Sequence, residues 1–411
     1  MSLIAKRQVL PGVLAPIALI EQPARMRGQA SGDSMHGDLI FENGVVAGMD
    51  PPSSPARGFV LPRLTEPHVH LDKCHTIDRL GAVGGDLAAA IARQWTDKAN
   101  WTAADIRERA GRGLSELQTA GCGAVRTHVD WGRAADACIT PVAWPVLREL
   151  AEDAQDMTIQ LASLTSIAQL ADTQTGLRIA REISRDNGVL GSFVLGHPER
   201  HAGLRSAFAL ADRFGLSLDF HVDEGLDPTL DGIELIADIA LETNHQGPVL
   251  LGHACALMNL PSAPLLRVAD KLAKAGISVA ALPTTNLYLQ SRGAGTPDRR
   301  GLTRIHELRA AGVNVVIGTD NVRDAFCPLG RHDPCHTLEL AIFAAHLDPP
   351  LGAHLPMITT AARSALGLEP IMVDGARAQD LLIFDVASVS ELLAGAPPPH
   401  LLSEHLPKEP A

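Results

Sequence analysis

The regular alternation of short apolar runs with helical segments constrains the fold of this chain more than any other feature. Eight runs have the length and apolar or β-branched content of buried strands, at 59–70, 124–130, 158–164, 189–196, 216–223, 249–254, 278–283 and 314–320. Segments with helical periodicity lie between them, at 103–119, 141–155, 202–213, 231–243, 262–275 and 302–311. Eight such units over about 280 residues predict an α/β fold, a closed parallel (β/α)8 TIM barrel.

The segments that flank this repeat predict a second, smaller unit. A doubly wound open sheet is the rival of the barrel, but no glycine-rich phosphate loop follows the first run. Residues 37–50 read as a hairpin around Asn43-Gly44, and 380–386 as another strand at the other end of the chain. We therefore predict that 1–58 and 370–411 form a small β-sandwich with a loosely packed proline-rich tail, and that 59–369 form the barrel.

Composition excludes several classes of partner. The formal net charge is −12 with no basic run, so nucleic acid and anionic membranes are not expected partners. No stretch reaches the roughly 20 apolar residues of a membrane span. The six cysteines show no CxxC spacing, which favours reduced thiols in a cytoplasmic protein, and the N-terminus reads as mature protein.

Two histidines end the first predicted strand in "LTEPHVHLDKCHT" (64–76). Because side chains two apart on a strand point to the same face, His68 and His70 can share a metal ion. The pair alone is equally compatible with two unrelated polar residues at a strand end.

Further polar residues follow other predicted strands. The site of a barrel enzyme lies at the carboxyl ends of its strands, and the ends in question carry His221, His253 and Asp320. Independent helix caps would have no reason to gather at one barrel mouth. We predict a single divalent metal ion with four ligands, which are His68, His70, His221 and Asp320. A binuclear site commonly uses a modified lysine on a mid-barrel strand, and no lysine lies near the end of the fourth run.

This ligand set predicts hydrolysis, because a divalent ion lowers the pKa of a bound water to about 7. Glu224 suits a general acid that moves a proton between the water and the leaving group. His253 suits a neighbour of the bound water that stabilises its hydroxide form. Asp320 counts as both a ligand and a catalytic residue. Asp72 and Lys73 either orient an imidazole or form a solvated pair in a loop.

Five motifs in this order resemble the bacterial cytosine deaminase branch of the amidohydrolase superfamily: "EPHVHLDKCHT", "HVDE", "GHA", "LPTTNLYLQSR" and residues 299–330. The resemblance spans about 59 to 385. It implies a mononuclear iron or zinc site in a (β/α)8 barrel. It also implies attack of metal-bound hydroxide on the amino-bearing carbon of a nitrogen heterocycle, with release of ammonia or an amine. Carried over by position, it implies the same four ligands, with Glu224 as the acid and His253 as the partner of the hydroxide.

Departures from the family pattern concern the substrate. Ser166 or Thr165 stands where the family has a glutamine, Asn321 replaces a second aspartate, and Phe326 replaces another aromatic residue. These changes disfavour cytosine, because a missing hydrogen-bond partner penalises a substrate strongly. The segments "HLDK" and "GTDN" are similar to those of relatives that act on triazines or other N-substituted rings. We expect a small planar heterocycle, which Phe326 and Trp131 could sandwich, although Trp131 is equally compatible with core packing.

Two alternatives stay open. One is a cyclic-amide hydrolase that opens a ring with the same site. The other is an inactive metal-binding homologue, against which the presence of Glu224 argues. Iron and zinc both accept nitrogen and carboxylate ligands, and the resemblance is compatible with a homo-oligomer.

Overall fold

The computed structural model describes residues 7–81, 84–132, 139–293, 295–297 and 299–406. Within these ranges the chain alternates between strands and helices. The strands are β1 (Arg7–Pro16), β2 (Gln29–Ser31), β3 (Ser34–Glu42), β4 (Val45–Asp50), β5 (Gly58–Pro62), β6 (Leu64–Val69), β7 (Cys122–Asp130), β8 (Thr158–Ser166), β9 (Leu190–Phe193), β10 (Leu218–Val222), β11 (Val249–His253), β12 (Ser278–Ala281), β13 (Val315–Ile317), β14 (Leu381–Phe384) and β15 (His400–Leu401).

The helices cover the outside of the barrel and the connections between its strands. The α-helices are α1 (Ile77–Leu80), α2 (Leu87–Asp97), α3 (Ala103–Thr119), α4 (Ala143–Asp153), α5 (Ile167–Ala171), α6 (Thr173–Arg185), α7 (Arg200–Phe214), α8 (Gly232–Thr243), α9 (Ser262–Lys274), α10 (Pro283–Leu289), α11 (Ile305–Ala310), α12 (Pro334–Ala345), α13 (Thr360–Ala365), α14 (Val389–Leu393) and α15 (Leu402–His405). Short 3-10 helices occupy Ile17–Leu19, Pro23–Arg25, Lys98–Asn100, Cys255–Asn259, Leu351–Ile358 and Ala378–Asp380.

Strands β6 to β13 form one parallel sheet in sequence order, with helices between them. A parallel bridge between Val69 and Asp320, and a bond from the Asp320 amide to the His68 carbonyl (2.8 Å), bring the last strand back to the first. The sheet is therefore a nearly closed (β/α)8 barrel, and the predicted fold class is confirmed.

Helix positions follow from local signals in the sequence. The predicted helix 103–119 coincides with α3, whose first turn is capped by the Thr102 hydroxyl accepting from the Asp105 amide at 3.2 Å. At the end of α7, Gly215 adopts φ +65°, a left-handed conformation that costs glycine little.

The terminal segments pair in a separate sheet of β-sandwich-like character, in the order β15-β14-β5-β1-β3-β2, with β4 added to β3. The Asn43-Gly44 turn between β3 and β4 has positive φ at both residues, as the predicted hairpin requires. The predicted strand 59–70 is two strands, because the chain changes sheets at Arg63. The amide of Arg63 bonds to Asp380, whereas the amide of Leu64 bonds to Gly121 beside the barrel.

The described part of the C-terminal tail, which ends at residue 406, packs against the small sheet and is not loose as predicted. Strand β15 adds to β14 in antiparallel register, and the side chain of Leu402 is fully buried. The apolar positions within the proline-rich stretch explain this, since they have a sheet edge to pack against. Among the described helices, none combines the length and the apolar content required to cross a bilayer.

Candidate active site

The four predicted ligands converge at the carboxyl end of the barrel. The Nε2 atom of His221 lies 3.1 Å from Nε2 of His68 and 3.1 Å from Nε2 of His70. The Oδ1 atom of Asp320 lies 3.6 Å from Nε2 of His68 and 3.2 Å from Nε2 of His70. Tetrahedral donors at about 2.0–2.1 Å from one ion are about 3.3–3.4 Å apart. The separations of 3.1 to 3.6 Å found here lie on either side of that value, so the spacing suits a single ion.

The chemical state of these groups also suits a metal ion. Burial lowers the pKa of all three imidazoles well below the usual range, so they are neutral and can offer a lone pair. Both carboxylate oxygens of Asp320 are buried and have no hydrogen-bond partner among the described residues. A buried carboxylate without partners is costly, and a divalent cation would satisfy it. The donor set therefore fits a divalent ion.

Small residues on neighbouring strands make room for the first histidine. A Cβ atom at Gly252 would lie 2.7 Å from Cε1 of His68, and one at Gly318 would lie 2.9 Å from its Cβ. These glycines come just before His253 and Asp320 in the sequence, so the motifs "GHA" and "GTD" supply both a functional side chain and the space beside it.

Glu66 holds the first and last strands of the barrel together beneath the ligands. Its carboxyl group accepts bonds from the amides of His68 (2.9 Å) and Thr319 (3.2 Å). Burial raises the pKa of Glu66 to about 8, so it carries a proton at neutral pH. This role of Glu66 is not evident from the sequence, although its position two residues before His68 places it on the same strand face as His68 and His70.

Glu224 and His253 form a pair beside the ligands. Oε2 of Glu224 lies 3.5 Å from Nε2 of His253. Burial raises the pKa of Glu224 to about 7, which lets it take up and release a proton near neutrality. Nδ1 of His253 bonds to Oδ1 of Asn286 at 3.0 Å. With that oxygen accepting, Nδ1 carries the proton and Nε2 keeps a lone pair toward Glu224.

The backbone turns sharply where these side chains enter the site. His253 has φ +71°, Asp320 has φ +58° and Asp223, next to Glu224, has φ +51°. Such conformations are strained for residues other than glycine and persist only where the surroundings enforce them. Here the Asp223 carboxylate accepts bonds from the amides of Gly232 and Ile233 (both 3.0 Å), which anchors the loop to the start of α8.

A cavity of about 410 Å³ opens above the ligands. Its lining includes three residues predicted to bind substrate, Ser166, Asn321 and Phe326, together with His70, His221, Glu224 and His253. Nδ2 of Asn321 bonds to Asp324 at 2.6 Å, which fixes the amide at the wall. The cavity therefore places the candidate substrate contacts beside the candidate metal centre.

Trp131 does not line the cavity in the described structure. It is buried behind the wall, with its ring 5.1 Å from the ring of Trp144 in a T-shaped contact. The reason is strand alternation, because Asp130 points into the cavity and the next residue points away. Of the two readings of Trp131, the geometry fits core packing.

One wall of the cavity comes from α2, which the sequence analysis missed. This helix and the turn after it contribute five residues to the lining: Leu87, Ile91, Gln94, Trp95 and Lys98. Their spacing of three and four is that of one helix face. That spacing was visible in the sequence, but it does not reveal what the face covers.

Asp130 connects this helix to the loop after β6. Its carboxylate lies 3.1 Å from Nζ of Lys73 and 3.1 Å from Nζ of Lys98, and it also accepts a bond from Gln94. Burial acts to raise the pKa of Asp130, but the two ammonium groups hold it well below the usual range. Asp72 and Lys73 are both buried, which excludes a solvated pair, and Asp72 accepts from the Asp130 amide at 2.9 Å. Among the contacts of the described residues, neither side chain bonds to a ligand imidazole.

His128 lies beneath the ligands and not at the cavity surface. Its Nε2 lies 2.9 Å from Oδ1 of Asp219, whose other oxygen accepts a bond from Arg126 at 2.9 Å. All three side chains are fully buried. Elsewhere at the mouth, His197 lines the cavity and Glu199 lies outside its lining.

The comparisons with known proteins concern the family and the fold of the chain. The amidohydrolase family model matches residues 152–401. The chain is 31% identical to a pterin deaminase of Rhizobium rhizogenes over 95% of its own length and 91% of that protein. It superposes on 5-methylcytosine deaminase from Klebsiella pneumoniae liganded with 5-fluorocytosine, with a TM-score of 0.76, 25% identity and coverage of 95% and 96% of the two chains.

A more distant structure shares the fold. Atrazine chlorohydrolase from Arthrobacter aurescens TC1, complexed with zinc, gives a TM-score of 0.68 at 17% identity over 94% of this chain and 90% of that one. The family match covers more than half of the described sequence, and the pterin deaminase likeness covers nearly all of it. The chain belongs to the amidohydrolase family.

Proposed function

We propose that this protein is a metal-dependent hydrolytic deaminase that releases ammonia from an amino-substituted nitrogen heterocycle. One observation carries the proposal: three imidazoles and the Asp320 carboxylate, which has no hydrogen-bond partner among the described residues, converge at one point. Two of these imidazoles, those of His70 and His221, line the cavity that also contains the Glu224–His253 pair. A mere binding site would not need a carboxyl group whose pKa lies near neutrality.

Each side chain has a defined task in this proposal. A divalent ion, zinc or iron, held by His68, His70, His221 and Asp320 would lower the pKa of a bound water from about 15.7 to about 7. Glu224 takes up a proton from the attacking water at Oε2 and donates it to the amino group, which leaves as ammonia. A pKa of about 7 for Glu224 favours both steps. Nε2 of His253 accepts a hydrogen bond from the attacking oxygen, and the contact between Nδ1 and Asn286 keeps the ring in that orientation.

The substrate we propose is a fused bicyclic aminoheterocycle of the pterin type. The cavity of about 410 Å³ lies within the range of pockets that enclose small organic ligands, and flat side chains of Trp95 and Phe326 form part of its wall. Ser166 is too short to make the two-sided contact of a glutamine with a pyrimidine amide edge. The likeness to a pterin deaminase over 95% of the chain supports the same choice.

A substrate screen tests the proposal. Protein loaded with Zn²⁺ and, separately, with Fe²⁺ is incubated with pterin, cytosine and an amino-substituted triazine, and released ammonia is quantified. We expect pterin to give the highest kcat/KM. Ammonia from the triazine or cytosine alone would overturn the bicyclic assignment, and ring opening without ammonia would identify a cyclic-amide hydrolase instead. Metal-loaded protein that turns over none of these rings would refute the deaminase proposal.

A further inference from the structure

A second cluster of metal-ligating side chains lies outside the barrel mouth. It contains His75 from the loop after β6, Glu116 from α3, and His332 from the segment before α12. Oε2 of Glu116 lies 2.8 Å from Nδ1 of His332 and 3.2 Å from Nε2 of His75. The longer separation lies within the range of 3.1–3.6 Å found between the ligands of the active site, and the shorter one is a hydrogen bond.

Hydrogen bonding within the protein satisfies only one ring nitrogen of the two histidines, Nδ1 of His332, which bonds to Oε2 of Glu116 at 2.8 Å. Both ring nitrogens of His75 and Nε2 of His332 are buried without a hydrogen-bond partner among the described residues. Side-chain exposure is 4% for His75 and 0% for His332, so both rings lie away from bulk solvent. Nε2 of His75 therefore faces Oε2 of Glu116 at 3.2 Å without a hydrogen bond, and a buried polar atom left in this state calls for a ligand.

The arginines around the cluster do not occupy the oxygen of Glu116 that faces the two histidines. Arg112 binds Oε1 of Glu116 at 3.0 Å, so Oε2 faces the two histidines. Arg323 is engaged by Asp78 at 3.1 Å. Burial lowers the pKa of His75 to about 4, which keeps the ring neutral, and the neighbouring histidines hold the pKa of Glu116 at about 2 against its desolvation.

The local backbone accommodates the two rings. His75 adopts φ +58°, a conformation that is strained for a residue other than glycine. A Cβ atom at Gly113, one turn before Glu116, would lie 3.1 Å from Cε1 of His332 and 2.7 Å from Leu71. A larger residue at position 113 would therefore displace the His332 ring.

We propose that His75, Glu116 and His332 form a second divalent-cation site, with zinc as the ion that its two imidazoles and one carboxylate suit best. Three protein ligands leave one tetrahedral position for water, and the side chain of Glu116 is 34% exposed, which gives the ion a route in. The ion would link the loop that follows His70 to α3 and α12. Its role is to stabilise this arrangement of the outer layer, separately from the chemistry at the barrel mouth.

Zinc stoichiometry tests the proposal directly. Protein stripped with a chelator is loaded with Zn²⁺, freed of excess ion and measured by inductively coupled plasma mass spectrometry. We expect two equivalents for the native chain and for the control variant His245→Gln, which alters another buried histidine paired with a carboxylate. We expect one equivalent for Glu116→Gln and for His332→Gln. Equal zinc content in the native chain and Glu116→Gln would overturn the second site.

The same substitution in a second parent protein, the His221→Ala variant, keeps the test informative if a single variant folds poorly. His221→Ala, which removes a ligand of the active site, should retain one equivalent of zinc. Adding Glu116→Gln to it should abolish zinc binding while circular dichroism shows the native helix content. One equivalent that persists in the folded double variant would refute the assignment of these three residues.

Discussion

Replacing Glu224 by glutamine removes the proton-carrying group of the proposed site while keeping its size. The amide can still fill the position 3.5 Å from His253, and it touches none of the proposed ligands among the described contacts. Metal content and Tm should therefore stay close to the native values. What changes is the capacity to take up and release a proton beside the reacting carbon.

The magnitude follows from the pKa. A glutamate with the ordinary value of 4.5 would be protonated in only about 0.3% of molecules at pH 7, whereas a pKa of about 7 raises this fraction to about half. Burial thus increases the supply of the acid form about 150-fold. General acid–base catalysis contributes about 10²–10⁴-fold to rate, and we expect kcat to fall by that factor in Glu224→Gln.

The assay is steady-state release of ammonia, with metal content and Tm measured on the same preparation. Glu199→Gln is the matched control, because Glu199 lies near the barrel mouth but outside the cavity lining. It should keep native kcat. If Glu224→Gln retained kcat within about twofold of native with full metal content, the proton-transfer role would be wrong.

Four further predictions concern the ligands, the core, the cavity wall and pH. His221→Ala should lower zinc content by one equivalent and abolish ammonia release; unchanged content would contradict the ligand set. Asp219→Ala leaves the buried Arg126 unpaired, so urea unfolding should show a loss of about 3–5 kcal/mol, and a loss under about 1 kcal/mol would contradict the buried pair. Trp95→Ala should raise KM about fivefold to tenfold with little change in Tm, and an unchanged KM would exclude ring contact. Because the pKa of His75 is lowered from 6.5 to about 4, metal-free protein should lose stability as pH falls from about 6.5 to about 4, and His75→Gln should flatten that slope in pH-dependent urea titrations.

The barrel was predictable because its signals are local. A buried parallel strand needs a short apolar run, and a helix needs its period and its caps, so α3 and the strand β7 lie where the sequence predicts them. The exception is the run at 59–70, where apolar character continues through Arg63 although the chain changes sheets there. Apolar content shows that a segment is buried, but it does not show which sheet buries it.

The ligand positions were predictable for a related reason. The carboxyl ends of parallel strands in a closed barrel surround one mouth, so residues 150 or more positions apart are brought together once the barrel exists. The position of the Trp131 side chain was harder to predict, because a change of one residue at a strand end reverses the direction of a side chain.

The sequence by itself determined the strand and helix alternation, and with it the gathering of His68, His70, His221 and Asp320 at one end of the barrel. Only the tertiary structure decided that α2 covers the cavity and that His75 meets His332 across α3. The physical reason is that strand order and period are encoded locally, whereas the docking of helices and loops depends on shape and charge contributed by segments far apart in the chain.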